Sequence, residues 1–331
     1  MIKSGFDLLC VGNALVDVFV RDTEDLHIRY GITDPVQHVE IELIEKILGH
    51  FAKFTAVSGG GAANIAKIAS LLERKTCFIG SIGDDKFGQL FEENLTAAGV
   101  KLIIHKRQTP TGICLVLRTK DATRIAASPS ASLELFENDI DSEDIKRAKV
   151  IVFDGFMLGR QKLKSHILDL ARLYKKPVAI DLSSPYIAAE MAKEIEAYCE
   201  EHKLILFMNE NEAEVFYNSL NATKDETTKR KTFIAFFKSL TKGKAWPLIA
   251  VKQGSRGALC FAGGEAYRSK TTAITPVDTT SAGDAFGAGF LSAWLKGKDL
   301  ASCVAFGNET AALVLGAEGS QINNLALKLA R

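Results

Sequence analysis

The chain has no surplus of either charge. Its 41 lysines and arginines stand against 40 aspartates and glutamates over 331 residues. A partner such as a nucleic-acid backbone or an anionic membrane calls for a basic excess, so neither is expected. No apolar run is long enough to span a bilayer, and Met1-Ile2-Lys3-Ser4-Gly5-Phe6-Asp7 lacks the apolar stretch of a signal peptide. The cysteines (Cys10, Cys77, Cys114, Cys199, Cys260 and Cys303) include no Cys-x-x-Cys pair. They read as small buried hydrophobes in a reducing compartment, not as a disulfide or zinc framework. A cytoplasmic protein is the expectation. His27, His38, His50, His105, His166 and His202 lack zinc-ligand spacing, which disfavours a metal hydrolase. The first apolar run leads into Gly12-Asn13-Ala14-Leu15, not a Gly-x-Gly-x-x-Gly turn, and no Gly-x-x-x-x-Gly-Lys-Ser/Thr loop follows anywhere. Dinucleotide-binding and Walker-type loops are therefore both absent.

What remains is ample material for a core, with 47% hydrophobic residues. Short apolar runs at 8–11, 76–79, 150–153, 178–181, 204–208 and 248–251 read as strands. They alternate with helical patterns at 62–72, 87–98, 162–174, 187–200, 228–240, 282–295 and 300–315. Such alternation predicts an α/β protein with a mostly parallel sheet covered on both faces, whose ligands bind beyond the carboxyl ends of the strands. There is no long linker, repeat or low-complexity tract, and the polar segment 218–230 reads as a solvated loop or helix start. Residues 16–41 and 110–130 do not fit the alternation. Their mixed polar and β-prone sequence reads as two surface hairpins.

Two motifs carry chemistry. In Asp278-Thr279-Thr280-Ser281-Ala282-Gly283-Asp284-Ala285-Phe286-Gly287-Ala288-Gly289-Phe290, a turn feeds a helix of small residues with a carboxylate in its first turn. The free amides of a helix start suit phosphate oxygens, and Ala282 and Gly283 have no bulk to keep an anion away. Asp284 stands where a substrate hydroxyl would meet that phosphate and can take its proton. A first-turn carboxylate also complements the helix dipole without any chemistry. The second motif, Ser58-Gly59-Gly60-Gly61-Ala62-Ala63-Asn64, again runs from glycines into a helix. Three adjacent glycines allow close approach of a ligand to the backbone, and Asn64 offers the donor and acceptor that suit a diol.

With these motifs the chain resembles the ribokinase, or PfkB, family of carbohydrate kinases, nearly end to end. Gly59 to Asn64 is similar to the family's first signature and Asp278 to Phe290 to its second. Between them, Asn209-Glu210-Asn211-Glu212 resembles the Asn-x-x-Glu element, and Val251-Lys252-Gln253-Gly254-Ser255-Arg256-Gly257-Ala258 the nucleotide-side strand and glycine turn. The resemblance implies one ribokinase-like domain over 1–331, a three-layer αβα core with a small β-sheet lid formed by about 16–41 and 110–130. It implies that Asp284 is the base and that Ser281, Ala282 and Gly283 complete the anion hole. Asn13, Asp17, Gly60, Gly61 and Asn64 would hold substrate hydroxyls. Lys252, Gly254, Gly257, Asn308 and Asn209 would line ATP, with Arg124 reaching in from the lid. Glu212 would organise Mg²⁺ through water, and Asp278 and Thr280 a monovalent cation, K⁺. Ser281 and Ser130 depart from the family, which commonly has glycine at both, and the Ser281 hydroxyl is placed to compete for the helix amides.

The expected activity is ATP-dependent phosphorylation of a primary hydroxyl on a nucleoside or sugar, by a monomer or homodimer. Asn13 and Asp17 lie four apart, as in the adenosine kinase-like members. A nucleoside further needs an apolar slot for its base, for which Phe19, Phe156 and Met157 are available. A kinase of a free sugar such as ribose or fructose is the alternative, and an inactive sugar- or nucleoside-binding regulator the second.

Overall fold

The computed structural model describes residues 5–22, 25–119, 122–220, 226–271 and 281–315, with backbone alone for 226–232. Asp278 and Thr280, the cation ligands implied by resemblance, lie outside the described residues.

Two sheets form. The small one is built from β2 (Leu15–Arg21), β3 (Val36–His38), β4 (Thr55–Gly59), β7 (Gly112–Arg118) and β8 (Thr123–Ser128), in the order β3-β8-β7-β2-β4. The large one takes β1 (Phe6–Val11), β5 (Thr76–Gly83), β6 (Lys101–Arg107), β9 (Ala148–Asp154), β10 (Val178–Asp181), β11 (Leu204–Asn209), β12 (Leu248–Lys252), β13 (Ala258–Ala262) and β14 (Glu265–Ser269). Its order is β14-β13-β12-β11-β10-β9-β1-β5-β6. Strands β12 through β6 run parallel, and β13 and β14 turn back antiparallel at one edge. The predicted parallel core is present, with a short antiparallel extension.

The chain carries helices α1 (Leu26–Arg29), α2 (Ile41–Leu48), α3 (Gly61–Leu71), α4 (Lys86–Ala97), α5 (Ser142–Arg147) and α6 (Gln161–Leu173). It continues with α7 (Pro185–Glu190), α8 (Ala192–Glu201), α9 (Glu210–Leu220), α10 (Glu226–Thr241), α11 (Ala282–Leu295) and α12 (Leu300–Val314). Period-2 alternation divides them between two cores. Leu8 and Cys10 of β1 face a cluster with α3, α11 and α12, whereas Leu9 and Val11 face α6, α8 and α9. This is the three-layer arrangement. The small sheet is not a separate body, since Val16, Val18 and Leu115 from it share one cluster with Leu8 and Cys10.

Local chemistry sets the element boundaries. The single helix read over 187–200 is two, broken at Met191, and α7 starts with Pro185 after Ser184, whose hydroxyl accepts from the Tyr186 amide at 3.2 Å. Both serines that replace family glycines adopt positive φ, 45° at Ser130 and 62° at Ser281. Glycine reaches that region without cost, whereas an L side chain pays roughly 1–2 kcal/mol. At Ser130 the hydroxyl donates to the Pro110 carbonyl at 2.6 Å, a local compensation.

Candidate active site

Strand order reverses at β1, which lies between β9 and β5 although the chain visits β5 first. In such sheets the crevice beyond the carboxyl ends holds ligand. Here neighbouring strands end on polar side chains: Asp154 on β9, Asp181 on β10, Asn209 on β11 and Lys252 on β12, with Asn13 just past β1. Registers Asp181 to Asp154 and Asn209 to Lys252 align them along one rim. The start of α11 faces that rim.

A cavity of about 620 Å³ opens there. Ser281, Ala282, Gly283 and Asp284 line it from α11, and Gly61 from α3. Asn209, Glu212 and Lys252 line the strand side, and Gly254, Gly257 and Asn308 the far end. Asp181 was missed in the sequence, and so was Asp154 behind the cavity. The signal was available, since an apolar strand run ends on Asp in both Val150–Asp154 and Val178–Asp181. Arg124, on β8, is not among the cavity residues.

Asp284 is held rather than free to swing. The Asn64 amide donates to Asp284 Oδ2 at 2.9 Å and to Ser281 Oγ at 3.0 Å. Ser281 thus spends its hydroxyl on Asn64 and makes no capping bond, leaving the helix amides open. Burial pushes the Asp284 carboxyl up to about 8, with Asp181 adding to it, while Asn64 and Lys252 oppose the rise. Asp154 rises to about 6 for the same first reason, against hydrogen bonds from the amides of Ala62, Phe156 and Met157.

Lys252 is the cation of the rim. Its ammonium pairs with Asp181 and stands 3.0 Å from where a Cβ on Gly283 would be. Burial opposes its charge, but Asp181, Glu212 and Asp284 outweigh that and hold it above the ordinary lysine range. Asn209 and Glu212 are engaged with each other: Glu212 Oε2 accepts the Asn209 amide at 2.8 Å, and Asn209 Oδ1 accepts that of Glu212 at 2.8 Å. This reciprocal box caps α9 and leaves both residues on the cavity wall. Burial raises the Glu212 carboxyl, with Asp181 adding to it.

The substrate side is packed around glycines. Gly60 has φ 96°, and a Cβ on it would lie 2.2 Å from the Asn13 carbonyl. A Cβ on Gly59 would lie 2.4 Å from the Asp17 carboxylate, so Asp17 rests against bare backbone. Three buried acceptors, Asn13 Oδ1, Asn64 Oδ1 and Asp154 Oδ1, have no hydrogen-bond partner among the described residues. The Asn64 oxygen is assigned by chemistry, because its other atom must donate to the carboxylate of Asp284. Unmatched acceptors call for a ligand rich in donors. Of the residues considered for a base slot, Met157 and Phe19 are packed into the interior, whereas Phe156 is 42% exposed and lines the cavity.

Residues 30–327 match the model of the pfkB family carbohydrate kinases. Adenosine kinase 1 of Arabidopsis thaliana is 26% identical, over 96% of this chain and 97% of its own length. Ribokinase of Bacillus subtilis is 27% identical, over 84% and 87%. Among solved structures, adenosine kinase from Sinorhizobium meliloti has the same fold, with a TM-score of 0.85 and 24% identity over 98% of this chain and 99% of that one.

Proposed function

The chain belongs to the pfkB family of carbohydrate kinases, and from that premise we propose that it transfers the γ-phosphoryl group of ATP to the primary hydroxyl of a nucleoside, adenosine before others. The observation that carries the chemistry is the start of α11. A carboxylate, open helix amides and a lysine ammonium converge there on one cavity wall.

The residues present fit an anionic nucleotide: Gly283 leaves the amides bare, and Lys252 lies over them. Lys252, Gly254, Gly257 and Asn308 would hold it, with Asn209 and Glu212 behind. Mg²⁺, when bound with ATP, neutralises phosphate charge, and Glu212 would order its water shell. Asp284 takes the hydroxyl proton as the oxygen bonds to phosphorus and the bond to the ADP oxygen breaks. Asn64 keeps the other Asp284 oxygen engaged, so the acceptor is aimed. The amides of Ala282, Gly283 and Asp284 stabilise the transferring group. Asn13, Asp17, Gly60 and Gly61 would take the ribose diol, and Phe156 offers the base an aromatic face.

One observation favours a second reading. Asp154 Oδ1 is an additional unpartnered acceptor, on a residue that with Asp284 flanks Gly61, and a free sugar carries an anomeric hydroxyl that a nucleoside lacks. The test is ATP consumption by purified protein with adenosine, ribose and fructose. Adenosine should give the highest kcat/KM, because its base buries apolar area on top of the same hydroxyl contacts. Efficient turnover of a free pentose or hexose with none of adenosine would transfer the assignment to the sugar.

A further inference from the structure

Asp181 places a carboxylate in the wall of a cavity that must take phosphates, and the reaction as described gives it no part. It ends β10, is only 3% exposed, and lines the cavity. A buried negative charge at that place repels a nucleotide unless a cation matches it. Two contacts fix the carboxylate. Its Oδ1 accepts from the Ser183 amide at 3.2 Å, in a turn where Ser183 has φ 61°. Its Oδ2 accepts from the Lys252 ammonium at 2.5 Å. Among the described residues no group of three or more acidic, histidine or cysteine side chains could hold a metal ion. The partner that this geometry provides for Asp181 is therefore the lysine.

Lys252 is the last residue of β12 and carries its charge on a flexible four-carbon stem. Three carboxylates act on that charge: Asp181, Glu212 and Asp284. Glu212 is engaged with Asn209 through both of its oxygens. An ammonium that swung to Asp284 would weaken the base and abandon its place 3.0 Å from where a Gly283 Cβ would be. We infer that Asp181 is a positioning residue that holds Lys252 over the open amides of α11 and off the base Asp284. The cation then meets the transferring phosphoryl group while the base stays available for the hydroxyl proton. The inference rests on the kinase reading above, through the roles given there to Lys252 and Asp284. The charges around the base agree with it. Asp181 from β10 and Asp154 from β9 raise the Asp284 carboxyl, whereas Asn64 from α3 and Lys252 from β12 lower it. Loss of the Asp181 charge therefore lowers Asp284, and a lysine released toward it lowers it further.

The test is a double-mutant cycle of Asp181→Asn, Lys252→Met and both together, read by kcat and by the pH dependence of kcat/KM. Asp181→Asn should lower kcat about 10–100-fold, the scale of a misplaced group, and move the rising limb of kcat/KM to lower pH. Lys252→Met should move that limb to higher pH, because Lys252 lowers Asp284. In the Lys252→Met background Asp181→Asn should change kcat by no more than about twofold, since no ammonium is left to hold. Asp181→Glu, which keeps the charge, should retain more kcat than Asp181→Asn. If Lys252→Met does not fold, the pH limb of Asp181→Asn and its comparison with Asp181→Glu carry the test. Wild-type kcat in Asp181→Asn, an unmoved limb, or independent effects in the cycle would each overturn the inference while the kinase reading stands. So would a Mg²⁺ requirement that Asp181→Asn raises equally in both backgrounds, which would make Asp181 a metal ligand instead. A wild-type protein that consumes no ATP with any nucleoside or sugar would remove both.

Discussion

At the scale of single residues the site runs on unfavourable electrostatics. Asp284 is a carboxylate whose burial lifts it from 3.8 to about 8, which makes it a stronger base and a less comfortable one. Between those two pH values the folded chain retains a proton that the unfolded chain has released, so this group costs stability increasingly as pH rises through that window. Asp284→Asn keeps the shape and removes the titration. It should lose about 10²–10⁴-fold in kcat, and melt higher than wild type by roughly 2–4 °C at pH 8, with a smaller gain near pH 5. Wild-type kcat/KM should climb between pH 6 and 8 as the base ionises. Retained turnover in the variant, or a melting difference that does not grow with pH, would leave Asp284 a helix-dipole residue only.

At the scale of elements, the base and its partner are brought together by helix packing. α11 is a helix of small and aromatic residues: Phe286 and Phe290 meet Phe207 of β11 edge-on, with centroids 6.1 and 5.4 Å apart. Gly289 lets α12 approach closely. A Cβ on Gly289 would stand 2.3 Å from Thr310 Oγ1 and 2.8 Å from the Phe306 carbonyl of α12. Gly289→Val must push α12 away, because a backbone carbonyl cannot rotate aside. It should destabilise by about 1–3 kcal/mol in urea denaturation and lower kcat alongside, since the shift displaces the first turn of α11. A stable Gly289→Val protein with full activity would show that this contact is looser than the geometry implies.

At the scale of the whole molecule, the small sheet is tied to the main core by shared apolar side chains. Among the described residues no helix is long and apolar enough to cross a membrane. Phosphoryl transfer from a nucleotide held at one rim demands that phosphate charge be balanced, so activity should vanish with chelation of Mg²⁺ and return on its addition. Activity should also be higher in K⁺ than in equal Na⁺, an expectation that comes by resemblance through Asp278 and Thr280. Equal rates in the two salts would strike the monovalent cation from the reading.

The sequence by itself determined the layered α/β core, because alternation and helical period are local properties of each segment. The strand runs at 8–11, 178–181 and 204–208 all lie within the observed strands β1, β10 and β11. It also located the start of α11 and the glycine turn before α3, since small residues at a helix start leave a signature in consecutive positions. Tertiary structure alone decided the rest. That Thr55–Gly59 joins the small sheet as β4 depends on pairing with β2, some forty residues back, and nothing local reports it. Asp154 and Asp181 look like ordinary strand ends until parallel register aligns them on one rim. Asn64 offers a diol both its donor and its acceptor in the sequence, yet its donors are spent on Asp284 and Ser281, some 220 and 217 positions away. Charge, burial and hydrogen-bond partners belong to pairs of residues, and which pairs meet is settled only when the chain closes on itself.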